Sequence, residues 1–312
     1  MKPQGDFKFV LVTRETRLQN LIAHYNTIQQ AQFYVEHLGA DFSDYLHEDS
    51  AYHAAVEQVE KTLGAFGRVQ PVDRKFLPNF LFSHDDIIVA VGQDGLVANT
   101  LKYLTDQPLI GVNPDPSRWD GILLPFVPGE LSALLPEVVS GRRPVKEITL
   151  AQAILNDGQV LYAVNDLFIG QKTHISARYQ ILLGSKSEQQ SSSGIIVSTG
   201  LGSTGWLKSI VTGAASIMNA AGRNPIKTES VGGFDWGADY LYYTVREPYP
   251  SKTTAAGLVF GKIPTGTELK IISQMPENGV IFSDGVEQDF LQFNSGIEAK
   301  IGIAERKGHL VQ

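Results

Sequence analysis

Apolar and polar positions follow two regimes along the chain. In the first, short apolar runs alternate with longer stretches of mixed polarity. Phe7 to Val12 (FKFVLV) reads as a strand, and Gln19 to Leu38, free of Gly and Pro, predicts one amphipathic helix stopped at Gly39. A second helix is expected from about Asp49 to Leu63, capped by Asp49 or Ser50 and ended by Gly64. Arg68 to Val72 is a further strand candidate. The run Ile87-Ile88-Val89-Ala90-Val91, between Asp85-Asp86 and Gly92, has the pattern of a strand buried on both faces. It passes through Gly92-Gln93-Asp94-Gly95 into Leu96 to Leu104, which reads as a helix. Leu109 to Val112 is again strand-like and ends in the turn Asn113-Pro114-Asp115-Pro116. Strands alternating with helices predict a parallel, doubly wound sheet.

The regime changes near Gly141-Arg142-Arg143-Pro144. Beyond it, strand-length runs dominate: Lys146 to Ile154, Val160 to Asn165, Ile175 to Leu183, Gly194 to Thr199, Tyr240 to Val245, Gly257 to Phe260, Glu268 to Ile272 and Val280 to Phe282. One helical stretch, Trp206 to Ala221, interrupts them, and the polar segment Gly184 to Ser193 reads as a flexible connector. The expected architecture is an α/β domain with a parallel sheet over residues 1–143, then a mostly β domain over 144–312.

Two glycine-rich turns stand where chemistry is expected. Gly92-Gln93-Asp94-Gly95 joins a buried strand to a helix N-terminus, a place where backbone N–H groups face an anion. Asp94 would repel a bare phosphate, which points to a metal-bridged phosphate or to a proton to be removed. Gly200-Leu201-Gly202-Ser203-Thr204-Gly205 matches the dinucleotide fingerprint G-x-G-x-x-G between strand and helix. A dehydrogenase would also need a second strand ending in an acid about 20 residues further on. Here that region is Asn224-Pro225-Ile226-Lys227-Thr228-Glu229, with no apolar run before the acid.

Composition narrows the classes. The net charge of -7 without a long single-sign run argues against nucleic acid as partner. With no cysteine, disulfide scaffolds, thiolate metal sites and cysteine nucleophiles are excluded. No Walker A sequence is present, and the seven histidines are scattered. No apolar stretch approaches the ~18 residues of a spanning helix, and the N-terminus lacks the pattern of a signal peptide. A soluble, cytoplasmic protein without membrane contact is expected.

Four segments, in order, resemble the loops of the NAD kinase family. The family's Gly-Gly-Asp-Gly loop stands as Gly92-Gln93-Asp94-Gly95, and its Asn-Glu pair as Asn165-Asp166. Its Thr-x-x-Gly-Ser/Thr-Thr-Ala-Tyr segment stands as Thr199 to Trp206, and a late Asp-Gly as Asp284-Gly285. Ile110 to Pro116 and Asn165 to Gly170 look most like the branch that includes the mitochondrial enzymes. The resemblance implies a kinase transferring phosphoryl from ATP, with a divalent metal such as magnesium, to the 2′-hydroxyl of the adenosine ribose of NAD(H). It implies Asp94 beside the acceptor hydroxyl, and Asn165 and Asp166 on the ribose. Thr204, Gly205, Trp206 and Ser209 would line the dinucleotide. Gly92, Gln93, Gly95, Gly202 and Ser203 would form the phosphate and nucleotide loops, with Asp284 a further site candidate. A homodimer or homotetramer is implied as well.

Several positions depart from the family pattern. Gln93 replaces a Gly, Leu96 a usual Thr, Asp166 a Glu and Trp206 a Tyr. Each candidate also has a plainer reading: Asp94 as a helix cap, Asn165-Asp166 and Asp284-Gly285 as turns, Trp206 as core. Two other functions stay open, a non-catalytic NAD-binding or regulatory protein of the same fold and a lipid or sugar kinase of the same superfamily.

Overall fold

The computed structural model describes residues 7–222, 233–286 and 289–312. The chain divides into two compact units, Met1–Lys146 with His309–Gln312, and Glu147–Gly308.

In the first unit, β1 (Phe7–Thr13) is followed by α1 (Arg17–Tyr25), α2 (Ile28–His37) and α3 (Phe42–Gly64) before β2 (Gly67–Asp73). Then come β3 (Asp86–Val91), α4 (Asp94–Leu101), β4 (Pro108–Val112) and α5 (Leu131–Val139). The strands lie in the order β2-β1-β3-β4, all parallel, and His309 and Leu310 extend the sheet beside β4. All six residues of β3 are buried, as a central parallel strand requires. Its one acid, Asp86, is paired with Lys8 at 3.0 Å. The edge strand β2 tolerates Pro71 and exposes three of its seven residues. Phe9, Leu11, Val89 and Ile110 of the sheet pack against Tyr52, Val59 and Leu63 of α3 and Leu131 and Leu135 of α5.

Two helix expectations are corrected. Gln19 to Leu38 is two helices, because Asn26 takes the left-handed conformation (φ 67°) and Thr27 starts α2 by accepting the Gln30 N–H. That pair is a stop and a restart without Gly or Pro. The next helix begins at Phe42, where Asp41 caps it by accepting the Ser43 N–H, well before Asp49. Likewise α4 starts at Asp94 and ends at Leu101, a shorter and earlier helix than Leu96 to Leu104.

The second unit holds β5 (Val145–Leu155) from Glu147 on, β6 (Val160–Ala163), β7 (Asp166–Gln171), β8 (Ala177–Leu183), β9 (Lys186–Ser192) and β10 (Ile195–Ser198). After α6 (Trp206–Ala220) come β11 (Tyr240–Val245), β12 (Phe260–Pro264), β13 (Leu269–Ser273), β14 (Gly279–Ser283), β15 (Phe290–Gln292) and β16 (Glu298–Val311), whose residues from His309 on belong to the first unit. One antiparallel sheet runs β12-β11-β10-β7-β14-β15, and a second places β16, β13, β8 and β9 in order, with β5 and β6 beside β16. Alternate residues meet between the sheets: Leu167, Ile169, Ile195 and Val197 from one, Tyr179, Ile181, Ile271 and Ile301 from the other. The opposite face of β7, β10 and β14 packs Phe168, Ile196 and Val280 under Trp206 and Ile210 of α6.

The connector expected at Gly184 to Ser193 is instead the strand β9, paired with β8 from Leu183↔Lys186 to Ala177↔Ser192. Its inward residues are polar: Ser192 and Gln190 are buried and meet the Tyr179 hydroxyl at 2.7 and 3.2 Å. A strand that buries a hydrogen-bonded polar row carries no apolar signal. The strand looked for at Gly257 to Phe260 begins only at Phe260. Among the described residues no helix is long and apolar enough to cross a membrane.

Candidate functional site

The first unit's strand order reverses between β1 and β3, the arrangement in which open α/β sheets bind ligands at the strands' carboxyl ends. Arg14 leaves the end of β1 there, and Gly92-Gln93-Asp94-Gly95 leaves the end of β3. The two are adjacent: a Cβ on Gly92 would lie 3.7 Å from Arg14 Nε and 2.9 Å from a methyl of Leu96. Gly92 is thus the size that lets Leu96 fold back under the turn. Leu96 is fully buried, so the apolar residue in place of a usual Thr serves packing.

Gln93 is the residue before α4, with φ -115° and ψ 163°. Any L-residue adopts that extended conformation, so replacing a family Gly brings no backbone strain. Gln93 makes no side-chain cap. Neither does Asp94 cap the helix: it is the first helical residue, and its Oδ1 accepts the Leu123 backbone N–H at 2.7 Å. The loop that supplies this N–H is held under β4 by Asn113, whose amide donates to the Trp119 carbonyl at 2.9 Å. Gly95 follows with open space around its Cβ position, at the first turn of α4 where backbone N–H groups have no preceding turn to bond.

Arg14 was not foreseen as part of this site. Its Nη2 donates to Glu48 at 3.0 Å, its guanidinium lies 4.8 Å from the Tyr52 ring centre, and its Nε is buried without a partner. The Tyr52 hydroxyl ties both strand ends, accepting the Arg14 N–H at 2.8 Å and donating to the Val91 carbonyl at 3.1 Å. Glu48 also binds Arg17, and Arg17 and Arg118 share Asp44. Burial works to raise the Glu48 carboxyl, but hydrogen bonds and charge from Arg17 and Arg14 outweigh it and hold it below its ordinary value.

In the second unit two segments are stitched together by Thr199. Its hydroxyl donates to the Val164 and Asn165 carbonyls at 2.5 and 3.2 Å and accepts the Gly202 N–H at 3.2 Å. Gly202 is required by this approach, since a Cβ there would overlap the Asn165 carbonyl. The segments therefore bring Asn165 and Asp166 beside the turn Gly200 to Gly205. Ser203 is buried, donating to the Gly200 carbonyl at 2.6 Å and accepting the Phe234 N–H at 3.1 Å. Its hydroxyl shapes the turn from within. Thr204, Gly205 and Ser209 are exposed at the start of α6. Trp206 is half-buried, stacked on Phe168 with ring centres 5.9 Å apart and with Arg246 5.6 Å from its ring centre.

Asp166 is the electrostatic centre of this unit's site. Burial pushes its carboxyl up to about 7 against a hydrogen bond from Ser198, and the Asp284 carboxylate adds to the rise. Its Oδ1 is buried with no hydrogen-bond partner. Asp284 faces the backbone: its carboxylate accepts N–H groups of Val164, Asn165 and Asp166 at 2.6 to 3.3 Å.

The G-x-G-x-x-G match does not sit in a dehydrogenase-type unit. Strand β10, which leads into it, is antiparallel to both neighbours, β7 and β11. The region where the fingerprint's acid is expected, 224–229, lies outside the described residues. Among the described residues no group of three or more His, Asp or Glu side chains is placed to hold a metal ion.

No protein-family model matches the chain. An NAD kinase of Chlorobaculum tepidum is 29% identical over 129 residues, which are 40% of this chain and 44% of that protein. An NAD kinase of Cellvibrio japonicus is 32% identical over 129 residues, 39% of this chain and 42% of that protein. The chain thus spans under half the length of these relatives. Among solved structures, yeast NADH kinase in complex with NADH aligns with a TM-score of 0.58 at 14% identity, over 99% of this chain and 84% of its own. An NAD kinase from Archaeoglobus fulgidus in complex with ATP aligns with a TM-score of 0.57 at 16% identity, over 97% and 93%. In fold along nearly its whole length, and in sequence over part of it, this chain resembles the NAD kinase family.

Proposed function

We propose that the protein is a kinase that transfers the γ-phosphoryl group of ATP to the 2′-hydroxyl of the adenosine ribose of NAD(H), forming NADP(H). The 2′-oxygen–phosphorus bond forms as the bond to the ADP leaving oxygen breaks. The observation that carries the reading is Asp166 Oδ1, a buried acceptor without a partner, beside Asn165 and the Thr199-stitched turn. An acceptor of this kind suits a ribose hydroxyl donor. The relatives named NAD kinase, and the neighbours solved with NADH and with ATP, support the choice of substrates.

In this reading Asn165 and Asp166 hold the adenosine ribose, and Thr204, Gly205, Trp206 and Ser209 line the dinucleotide. Asp94 receives or orients the acceptor proton, a contribution of about 10²- to 10⁴-fold. Positioning and charge neutralisation carry the rest of such transfers. The Gly92–Gly95 turn with Arg14 takes the donor phosphates. A divalent metal such as magnesium, bound with the ATP phosphates, would supply part of that charge neutralisation. The same resemblance leads us to read the protein as a homodimer or homotetramer, which sedimentation in solution checks.

The test is NADP formation from ATP, magnesium and NAD, with NADH as rival acceptor. Turnover of either acceptor supports the proposal and ranks the two. Phosphorylation of diacylglycerol or of a sugar with NAD ignored overturns it. Binding of NAD without ATP turnover makes the protein a dinucleotide-binding or regulatory member of the fold.

A further inference from the structure

Asp284 ends β14 in a turn that most residues avoid. The Val286 N–H donates to the Ser283 carbonyl at 3.0 Å, and the two residues between, Asp284 and Gly285, have φ of 55° and 69°. Both central residues are left-handed, as in a type I′ turn. Glycine takes this conformation freely; Asp is one of few side chains that tolerate it.

That backbone aims the carboxylate at the neighbouring strand. Oδ1 accepts the N–H of Val164 at 3.1 Å, of Asn165 at 2.6 Å and of Asp166 at 3.3 Å, and Oδ2 accepts the Val164 N–H at 3.1 Å. Asp284 also donates its own N–H to the Asp166 carbonyl at 3.0 Å. Three successive amides converging on one anion form a nest of the kind that binds phosphates, here filled by the chain's own carboxylate. From the opposite polarity, Thr199 holds the carbonyls of Val164 and Asn165. The segment's N–H groups and carbonyls are thus gripped by residues remote in sequence, and its shape is imposed from outside.

We propose that Asp284 is a positioning residue: it touches no substrate, and by filling the backbone nest of residues 164–166 it sets the geometry in which Asn165 and Asp166 meet the ribose. This rests on the reading of that pair as ribose-binding. Thr199 alone does not replace it, because Thr199 engages the carbonyls of Val164 and Asn165 and not the three amides.

Asp284→Gly separates the carboxylate from the turn, since glycine keeps the left-handed backbone and removes only the anion. The expected result is a KM and Kd for NAD raised roughly ten-fold or more, the scale of losing charge-assisted hydrogen bonds. The KM for ATP and the kcat at saturating NAD stay near wild type. Added formate, a carboxylate small enough for the vacated nest, restores part of the NAD affinity in Asp284→Gly and does nothing for wild type. Asp284→Asn, which keeps one acceptor oxygen, falls between. Thermal unfolding of each variant shows that the proteins compared are folded. An Asp284→Gly protein that is folded and binds NAD like wild type overturns the proposal. So does one in which kcat and both KM values deteriorate together without response to formate. Wild-type protein that fails to bind NAD overturns the functional reading as well, and that outcome is seen before any variant is made.

Discussion

Asp94 Oδ1 accepts the backbone N–H of Leu123 at 2.7 Å, which ties the turn after β3 to the loop after β4. The carboxylate therefore has a structural contact alongside its proposed chemistry, and substitutions separate the two. Asp94→Asn keeps an acceptor oxygen for Leu123 and removes the charge. The expected outcome is a fall in kcat of about 10²- to 10⁴-fold with NAD binding and melting temperature little changed. Asp94→Ala loses the contact too and adds a stability loss of about 1 kcal/mol. Steady-state NADP formation beside thermal melts checks both; wild-type turnover by Asp94→Asn removes Asp94 from the chemistry.

Arg14 binds Glu48, and its Nε stands next to Gly92 without a partner. Arg14→Ala leaves buried Glu48 with Arg17 as its remaining cation, which is expected to cost about 1–3 kcal/mol in stability. If the Gly92 turn takes the donor phosphates, the KM for ATP rises several-fold while the Kd for NAD stays put. An unchanged KM for ATP in a folded variant confines Arg14 to its ion pair.

Gly202 and Gly95 sit in the two glycine-rich turns and predict opposite outcomes. A Cβ at Gly202 overlaps the Asn165 carbonyl, so Gly202→Ala forces apart the segments stitched by Thr199. Overpacking of this kind costs about 1–3 kcal/mol, and NAD binding weakens with it. A Cβ at Gly95 meets open space, so Gly95→Ala leaves the melting temperature unchanged or slightly raised. Any loss of activity in Gly95→Ala then falls on ATP use. Calorimetric melts with NAD and ATP titrations of both variants give the comparison.

Asp166 makes stability depend on pH in a stated direction. Its folded carboxyl titrates at about 7, above the unfolded value near 3.9, so the native state holds the proton more tightly. Its contribution is most favourable below the unfolded value and is lost as pH rises from about 4 to 7. Asp166→Asn, neutral throughout, removes that loss. The melting temperature of the variant relative to wild type should climb across this window, by roughly 2–4 °C for each kcal/mol relieved. A difference that stays flat from pH 4 to 8 contradicts the shifted carboxyl.

Much of the fold is legible along the chain because its signals are local. The apolar run Ile87–Val91 between acids and a glycine has the pattern of a buried strand, and the structure adds one residue to it. The mostly β character of the second part follows from strand-length runs separated by turns, and it is observed; the antiparallel pairing of those strands is the structure's addition. Signals fail where burial is polar or a break has no Gly or Pro. Ser192 and Gln190 hide β9 because their partner, Tyr179, lies on another strand, and Asn26-Thr27 splits a helix by a left-handed Asn.

By itself the sequence determined which residues form the glycine-rich turns, the order of the four motifs and the resemblance to the NAD kinases, because each of these is written in consecutive residues. Tertiary structure alone decided what each residue does inside its unit. Leu96 replaces a hydroxyl residue because it packs under Gly92, and Gln93 needs no glycine because its φ is -115°. Arg14 and Tyr52 join the Gly92 turn only when β1 lies beside β3, and Asp284 reaches residues 164–166 only through the pairing of β14 with β7. Such contacts link positions dozens of residues apart, and their energy comes from amides and charges that have no other partner once water is excluded. No local pattern encodes that condition, since it exists only after the chain has folded.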